Sequence, residues 1–277
     1  MTTTAPPLAV LLDPALDVPF THGTLAGLPQ WLRRTETGPA DVVAVTADTP
    51  DWPDRLRAVL TDDAPPRAVL LSRVTPADPA TVSELAALAD ELGIPVVVDS
   101  PWALDPTVTE HAERLRAAAA GAVVVDTVVV VPTAAGRAPA AVLLDQLALV
   151  RLVVGPVSGL RVTGLDGRGH TAGAHAGGVP VQLSSVLSPL GSAQARLSIR
   201  SRGEQWQLRF ADPNTARPTA ALLIDDAGEQ LQPTRYETAH RAAWRQLHGA
   251  ATASTQPSYT LPDLVADLRL LPPEALR

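Results

Sequence analysis

The chain has 277 residues, 46% hydrophobic and 18% charged, so it is long enough for two domains and can bury a substantial core. Its formal charge of −7, without a basic cluster, argues against nucleic acid or an anionic membrane as the main partner. It has no cysteine, and its 22 basic residues are all arginine. Disulfides, thiolate catalysis and lysine Schiff bases are therefore excluded.

Targeting signals are not evident in the sequence. The first residues lack the basic and apolar regions of a signal peptide. The longest apolar run, Gly121–Pro132, is interrupted by Asp126 and is too short to span a bilayer. We therefore expect a cytoplasmic protein.

The first half of the chain alternates short apolar runs with helical patterns. The predicted strands are Leu8–Leu12, Asp41–Val45, Arg67–Leu71, Pro95–Val98 and Ala122–Val131. The predicted helices cover residues 25–34, 53–60, 81–92 and 108–120. Continuous Val/Leu runs are typical of a parallel sheet covered on both faces, and strand–helix repetition predicts a Rossmann-like layer.

The second half has a different pattern, which begins after the Pro-rich segment 132–139. One helix is predicted over residues 140–154, and two more over 236–250 and 262–270. Alternating strands are predicted at residues 160–165, 179–187, 193–201, 205–210 and 220–224. We therefore predict a Rossmann-like domain over residues 1–135 and an α+β domain with an open antiparallel sheet over residues 136–277.

Two stretches resemble segments of the glucose–fructose oxidoreductase/inositol dehydrogenase (Gfo/Idh/MocA) family. Residues 93–104, Gly-Ile-Pro-Val-Val-Val-Asp-Ser-Pro-Trp-Ala-Leu, are similar to its Glu-Lys-Pro segment. Residues 141–162 are similar to the family helix that carries Asp-x-x-x-His-x-x-Asp and ends in Gly-x-Pro-Val. The order of elements also fits. The resemblance implies an oxidoreductase fold, and a dimer formed through the open face of the second sheet.

The residues that would carry the family's chemistry differ in this chain. The resemblance puts Asp99 at the acidic position, Ser100 at the lysine position and Asp145 at the histidine position. A dinucleotide also needs glycines directly after the first strand, where Asp13 would instead put negative charge at the phosphate. Losing a general acid or base costs roughly 10²–10⁴ in rate. We therefore expect a shortened, motif-degenerate member without a cofactor.

The candidate site residues follow from the same comparison. If the fold is kept, Asp99, Ser100 and Asp145 converge on a polar pocket that suits a hydroxylated or cationic ligand, with Tyr236 as a further candidate. Asp48, after the second predicted strand, is placed like a ribose-binding acid, although acids at strand ends are common.

Three histidines invite a functional interpretation, and each has a structural one. His170 and His175 lie in a Gly-rich stretch, 167–178, that we interpret as a solvent loop, so we expect no metal site. His240 lies at helical spacing from Tyr236, Trp244 and His248. Such a stripe can line a substrate pocket, but it is more often aromatic packing against a sheet.

The leading hypothesis is an oxidoreductase homologue that has lost hydride chemistry. It would be a small-metabolite binding protein, or a non-catalytic partner subunit in a homo-oligomer or in a hetero-oligomer with a related dehydrogenase. The alternative is an active NAD(P)-dependent oxidoreductase on a sugar or cyclitol. That enzyme would bind its cofactor atypically and use Asp145, Tyr236 or water for proton transfer. A hydrolase or lyase has no signature in the sequence.

Overall fold

The computed structural model describes residues 6–189, 191–215, 217–253 and 255–276. The chain divides into two compact units. The first unit comprises the chain up to Asp99 together with a later segment, His240–Val265. The second comprises Ser100–Ala239 and the stretch from Ala266 onward. Within the described ranges, no helix is long and apolar enough to cross a membrane.

The elements are numbered in chain order. Up to residue 132 they are β1 Leu8–Leu12, α1 Pro19–Gly27, β2 Leu32–Thr35, β3 Val42–Thr46, α2 Trp52–Leu60, β4 Ala68–Ser72, α3 Pro79–Glu91, β5 Val96–Asp99, α4 Pro106–Glu110, α5 Ala112–Ala120 and β6 Val124–Pro132. The remaining elements are α6 Pro139–Val153, β7 Val157–Asp166, β8 Gly169–Ala176, β9 Val179–Ser188, β10 Gln194–Arg200, β11 Gln205–Phe210, β12 Ala220–Asp225, β13 Gly228–Leu231, α7 Ala239–Ala253 and α8 Leu261–Leu268.

The first unit contains a five-stranded parallel sheet in the order β2-β1-β3-β4-β5. Every residue of β4 and β5 is buried, as expected for central parallel strands with helices on both faces. Proline stands at the first or second position of α1, α2 and α3, where a missing N–H costs nothing. Asp78 also caps α3 by accepting a hydrogen bond from the Thr81 backbone N–H at 3.0 Å.

The strand order of this sheet reverses at β1, because β2 lies on one side of it and β3 on the other. In an open parallel sheet, such a reversal creates a crevice outside the carboxyl ends of the strands, where ligands bind. The crevice between β1 and β3 is therefore the first place to look for a site in this unit.

The second unit contains an eight-stranded sheet in the order β13-β12-β11-β10-β6-β9-β8-β7. Its pairs are antiparallel except for the parallel pair of β6 with β9. Helix α6 packs on β7, β8 and β9, and α5 packs on β10. A Rossmann-like parallel sheet followed by a mainly antiparallel sheet confirms the predicted fold class.

One strand of the first sheet was missed by the sequence pattern. The segment Leu32–Thr35, Leu-Arg-Arg-Thr, forms β2, whereas the sequence predicts the end of a helix over residues 25–34. A single apolar residue beside two arginines has no strand periodicity. Charged side chains on a short edge strand are nevertheless a common way to prevent pairing with another sheet.

The last strand of the predicted Rossmann series belongs to the other sheet. Strand β6 pairs with β9 and β10, so the first unit ends at Asp99 rather than at residue 135. Helix α7 then returns the chain to the first unit from His240 onward. An apolar strand that follows a helix looks the same whichever sheet it joins, so the predicted domain boundary differs from the division in the structure.

The predicted Gly-rich loop at residues 167–178 is mostly strand β8. Gly169, with φ of 149°, passes so close to β9 that an added Cβ would lie 2.0 Å from the Ser185 carbonyl oxygen. The glycine therefore permits close strand pairing, and the next residue, His170, is buried instead of lying in a solvent loop.

Candidate functional site

The carboxyl edge of the parallel sheet collects polar residues from four strands. Thr46, Ser72 and Asp99 are the last residues of β3, β4 and β5, and Asp13 directly follows β1. The carboxyl ends of parallel strands lie at one edge, so the topology brings residues that are distant in sequence to the same side of the first unit.

Asp99 belongs to a hydrogen-bonded chain of four side chains. The Ser72 hydroxyl donates to Asp99 Oδ2 at 2.9 Å, and His240 Nδ1 lies 2.6 Å from the same oxygen. The Trp244 indole N–H donates to His240 Nε2 at 3.1 Å. Because an indole nitrogen only donates, Nε2 must be the acceptor and Nδ1 carries the hydrogen that points to Asp99. The ring of Phe20 stacks on His240 at a centroid distance of 5.4 Å.

The sequence leaves two interpretations of His240 open, a substrate-pocket lining and the more common aromatic packing. His240 does pack against Phe20 and Trp244, but it also meets the carboxylate of Asp99, 141 residues away. The spacing His-x-x-x-Trp on helix α7 was the available signal. It placed the histidine and the indole on one face but could not name the strand that this face meets.

A second cluster closes the end of β1. Asp13 Oδ1 accepts from the Ala15 backbone N–H at 3.0 Å, and Oδ2 accepts from Arg55 Nη1 at 2.8 Å. The Thr46 backbone N–H lies 3.4 Å from the same Oδ2. Arg55 also donates from Nη2 to the Thr49 hydroxyl at 2.8 Å. The Asp13 carboxylate therefore uses two backbone N–H groups and a guanidinium group at the crevice.

These donors do not suit a dinucleotide bound in the usual manner. A pyrophosphate needs free backbone N–H groups after β1 and no anion beside them. Here the segment after β1 has no glycine before Gly23, and the Asp13 carboxylate accepts from the N–H groups itself. The residues present at this position thus do not fit the phosphates of NAD(P).

The predicted ribose acid follows a different strand from the one expected. Asp48 follows β3, which is the third strand in chain order and not the second, because the sequence pattern missed β2. A ribose-binding acid lies about 20 residues beyond the phosphate loop. Glu36, directly after β2, is nearer to that spacing and is exposed. The assignment of Asp48 to a ribose stays a prediction.

Backbone strain occurs at the same edge. Arg73, directly after β4, has φ of 61° and is the one non-glycine residue with positive φ in the described chain. Its Nε lies 3.5 Å from Asp48 Oδ2. Left-handed non-glycine residues cost about 1–3 kcal/mol and concentrate at binding and catalytic sites. This outlier therefore supports the carboxyl edge as the functional edge.

A large cleft of the first unit lies at the opposite, amino edge of the sheet. It has a volume of about 580 Å³, and Arg67, Asp90, Ile94, Gln256 and Thr260 are among its lining residues. Its two charged residues, Arg67 and Asp90, are exposed, and no histidine lines it. Size alone does not outweigh the buried polar chain at the carboxyl edge.

Three of the predicted site residues belong to the second unit. Ser100 is 2% exposed, and its hydroxyl has no hydrogen-bond partner among the described residues. Asp145, on α6, receives a hydrogen bond from Arg137 Nη2 at 2.6 Å. Tyr236 is 81% exposed. The convergence of these residues with Asp99, which belongs to the first unit, stays a prediction.

The second unit also holds a buried histidine. His170 Nε2 lies 2.5 Å from Gln146 Oε1, and the Ser185 hydroxyl lies 2.7 Å from Nδ1. The Gln146 amide nitrogen donates to the carbonyl oxygens of Thr127 and Ser184, which fixes the orientation of the amide. Burial lowers the pKa of His170 to about 4, although the Pro139 carbonyl opposes this shift. This neutral network joins α6 to the sheet.

Two further buried groups in the second unit titrate away from their usual range. Burial raises the pKa of Asp105, which accepts from the Thr219 hydroxyl at 2.7 Å and from the Thr107 N–H at 2.9 Å. Burial also lowers the pKa of His111, whose ring lies 5.8 Å from that of Trp206. Across the described residues, no group of three or more His, Asp or Glu side chains could hold a metal ion.

Comparison with known proteins identifies the fold. No protein-family model matches the chain, and no curated protein is significantly similar to it in sequence. Among solved structures, it is similar to a UDP-N-acetylglucosamine 3-dehydrogenase from Acidithiobacillus ferrooxidans, with a TM-score of 0.75, 12% identity, and coverage of 95% of this chain and 94% of that one. A dehydrogenase from Clostridium difficile gives a TM-score of 0.71 at 9% identity, over 95% and 96% of the chains.

A third similar structure contains a cofactor. It is a 3-ketoreductase from Actinomadura kijaniata in complex with NADP and TDP-benzene, with a TM-score of 0.68, 15% identity, and coverage of 95% of both chains. At such identities the likeness establishes the fold. The coverage does not confirm that this chain is a shortened version. The comparisons also lend no support to the expectation that no cofactor binds.

Proposed function

We propose that the chain is a small-metabolite binding protein, a motif-degenerate relative of the Gfo/Idh/MocA oxidoreductases that does not carry out nicotinamide-dependent hydride transfer. The observation that carries this proposal is the Asp13 carboxylate at the end of β1. It accepts from the Ala15 N–H and from Arg55, so a fixed anion stands where a dinucleotide needs free donors.

The residues at the family's catalytic positions support the same proposal. Ser100, at the lysine position, is a buried hydroxyl that carries no charge. Asp145, at the histidine position, is ion-paired with Arg137 at 2.6 Å. Its carboxylate accepts a charge-assisted hydrogen bond from that guanidinium. Neither residue supplies the proton transfer that the family obtains from lysine and histidine.

The proposed ligand is small, hydroxylated and free of phosphate. Asp99 lies at the carboxyl edge of the sheet, the edge at which ligands bind in open parallel sheets. Its carboxylate accepts hydrogen bonds from Ser72 and His240, and carboxylates with further acceptor capacity suit hydroxyl or cationic groups. A sugar or cyclitol without phosphate has this chemistry.

An oligomer is part of the proposal. Helices α5 and α6 pack against the eight-stranded sheet, and Val186 and Leu231, on its strands, are 53% and 63% exposed. A second copy of this chain, or a related dehydrogenase subunit, would pair through the open face of the sheet. Light scattering during gel filtration measures the mass, and a monomer at all concentrations would count against this part.

The second candidate is an active NAD(P)-dependent oxidoreductase with an atypical cofactor site. The pair of His240 with Asp99 at 2.6 Å favours it, because a histidine oriented by a carboxylate is a common proton carrier in enzymes. The NADP bound to the similar 3-ketoreductase points the same way. In this candidate, His240 replaces the missing lysine and histidine.

Calorimetric titration of the full chain with NADH and NADPH separates the two candidates. The proposal expects no heat of binding up to millimolar nucleotide. Binding at micromolar concentrations would overturn it and favour the oxidoreductase. In that case His240→Gln should lower turnover while nucleotide affinity stays unchanged, whereas equal turnover in both proteins would remove His240 from the mechanism.

A further inference from the structure

The position of Asp13 in the sheet gives its carboxylate a specific role. The Asp13 backbone N–H donates to the Ala44 carbonyl at 2.9 Å, and its Oδ2 lies 3.4 Å from the Thr46 N–H. Both of these partners belong to β3, whereas Asp13 follows β1. The residue therefore bridges the two strands between which the crevice of this sheet opens.

The donors around Asp13 are those that a phosphate group requires. Ala15 and Thr46 contribute backbone N–H groups, and Arg55 contributes the guanidinium group at 2.8 Å. Guanidinium and backbone N–H groups are the usual partners of phosphate oxygens. Asp13 is mostly buried, with 14% of its side chain exposed, so its carboxylate is held among these donors.

We infer that Asp13 is an internal anion that closes the phosphate position of the crevice and makes the chain select against ligands that carry phosphate or pyrophosphate. This inference rests on the proposed function and assigns the exclusion of phosphate from its ligand class to one residue. Asp13 both occupies the donors and repels an incoming anion. The rejection of phosphate-bearing ligands would therefore depend on Asp13, directly after β1. It would not come from the lack of a cation, because Arg55 is present.

The test compares three single variants with the wild-type chain by calorimetric titration with inorganic pyrophosphate and with NADPH. Asp13→Asn keeps the shape and removes the charge, and Asp13→Ser keeps an oxygen that can accept from the Ala15 N–H. Asp51→Asn is the matched control, because Asp51 also lies beside Arg55, at 3.5 Å, but is 63% exposed. Circular dichroism checks that each variant is folded.

We expect either Asp13 variant to bind pyrophosphate about tenfold more tightly than wild type, or better, because a unit of like charge is removed at close range. Asp51→Asn should bind like wild type. Adding Arg55→Gln to Asp13→Asn should abolish the gain. Equal affinity of wild type and both Asp13 variants would overturn the inference. A gain of the same size in Asp51→Asn would also overturn it, because net charge would then explain the effect.

The outcomes distinguish the two proposals. Binding of NADPH to wild type at micromolar concentrations would overturn the proposed function and, with it, the inference that rests on it. If wild type and both folded Asp13 variants give no heat of binding with pyrophosphate or NADPH, the inference is overturned and the proposed function stands.

Discussion

Two histidines, one in each unit, are hydrogen-bonded on both ring nitrogens but to different kinds of partner. His240 presents Nδ1 to the Asp99 carboxylate and accepts from the Trp244 indole at Nε2. His170 Nε2 faces Gln146 Oε1, and its Nδ1 faces the Ser185 hydroxyl and the Pro139 carbonyl. A carboxylate therefore meets the first ring, whereas the hydrogen-bond partners of the second are neutral.

The difference follows from the partners of each ring. The hydrogen-bond partners of His170 are neutral, and burial keeps its ring uncharged while it joins α6 to β8 and β9. His240 faces a carboxylate at the edge of the parallel sheet, where ligands bind. A histidine is thus part of the core in the second unit and part of the candidate site in the first. Four predictions test this contrast.

The largest effect is expected from acid titration of His170. Its pKa is about 4 when folded and about 6.5 when unfolded, so between these values the unfolded chain binds a proton that the folded chain does not. The stabilisation is complete above pH 6.5 and is lost as the pH falls toward 4, by about 3 kcal/mol of unfolding free energy. Urea denaturation from pH 7 to pH 4 measures this slope.

The control for that titration lies on the same strand. His175, at the other end of β8, is exposed, so His175→Gln should keep the wild-type slope while His170→Gln loses the part due to His170. Identical slopes in the two variants would show that His170 is not the titrating group.

A slightly smaller effect on the unfolding free energy is expected when the Asp99 carboxylate, the partner of His240, is removed. Asp99→Ala leaves the Ser72 hydroxyl and the His240 N–H without an acceptor in a buried place, at a cost of about 2–3 kcal/mol of unfolding free energy. Asp48→Ala, after β3 of the same sheet, removes only a partly exposed pair with Arg73 and should cost less than about 1 kcal/mol. Urea denaturation at pH 7 compares them, and equal losses would contradict a special role for Asp99.

The indole N–H bond to His240 should have a smaller effect. Trp244→Phe keeps an aromatic ring but removes the donor to Nε2, which should cost about 1 kcal/mol beyond the loss of ring volume. Trp102→Phe is a suitable reference, because its buried indole N–H has no hydrogen-bond partner among the described residues. Thermal unfolding of both variants measures the difference. A stability of Trp244→Phe equal to wild type would mean that this bond contributes nothing.

The smallest effect is expected at Tyr236. Its side chain is 81% exposed, so Tyr236→Phe should change the unfolding free energy by less than about 0.5 kcal/mol. Ligand affinity, once a ligand is known, should also be unchanged. A loss of binding in this variant would restore Tyr236 as a site residue.

Much of the first sheet was predictable from local pattern. Strands β1, β3, β4 and β5 are apolar runs, and Pro residues mark the starts of the helices between them. Strand β2 could not be predicted, because its two arginines suit an exposed edge that only the finished sheet defines. Because of that omission, Asp48 was assigned to the second strand, although it follows the third.

The candidate site was predictable only in part. The missing glycine loop and the negative charge of Asp13 are visible in the sequence, because they depend on residues directly after one strand. The partner of Asp13 is not visible, because Arg55 lies 42 residues away on α2. The pairing of Asp99 with His240 is hidden in the same way, since helix α7 returns to the first unit after the entire second sheet.

The sequence by itself determined which residue types were absent and which strands would be buried, because composition and periodicity are local properties of the chain. Only the tertiary structure decided which sheet β6 joined, which carboxylate met His240, and which cation met Asp13. These outcomes depend on contacts between segments far apart along the chain, and one residue's hydrogen bonds are set by whichever partner the fold brings to it.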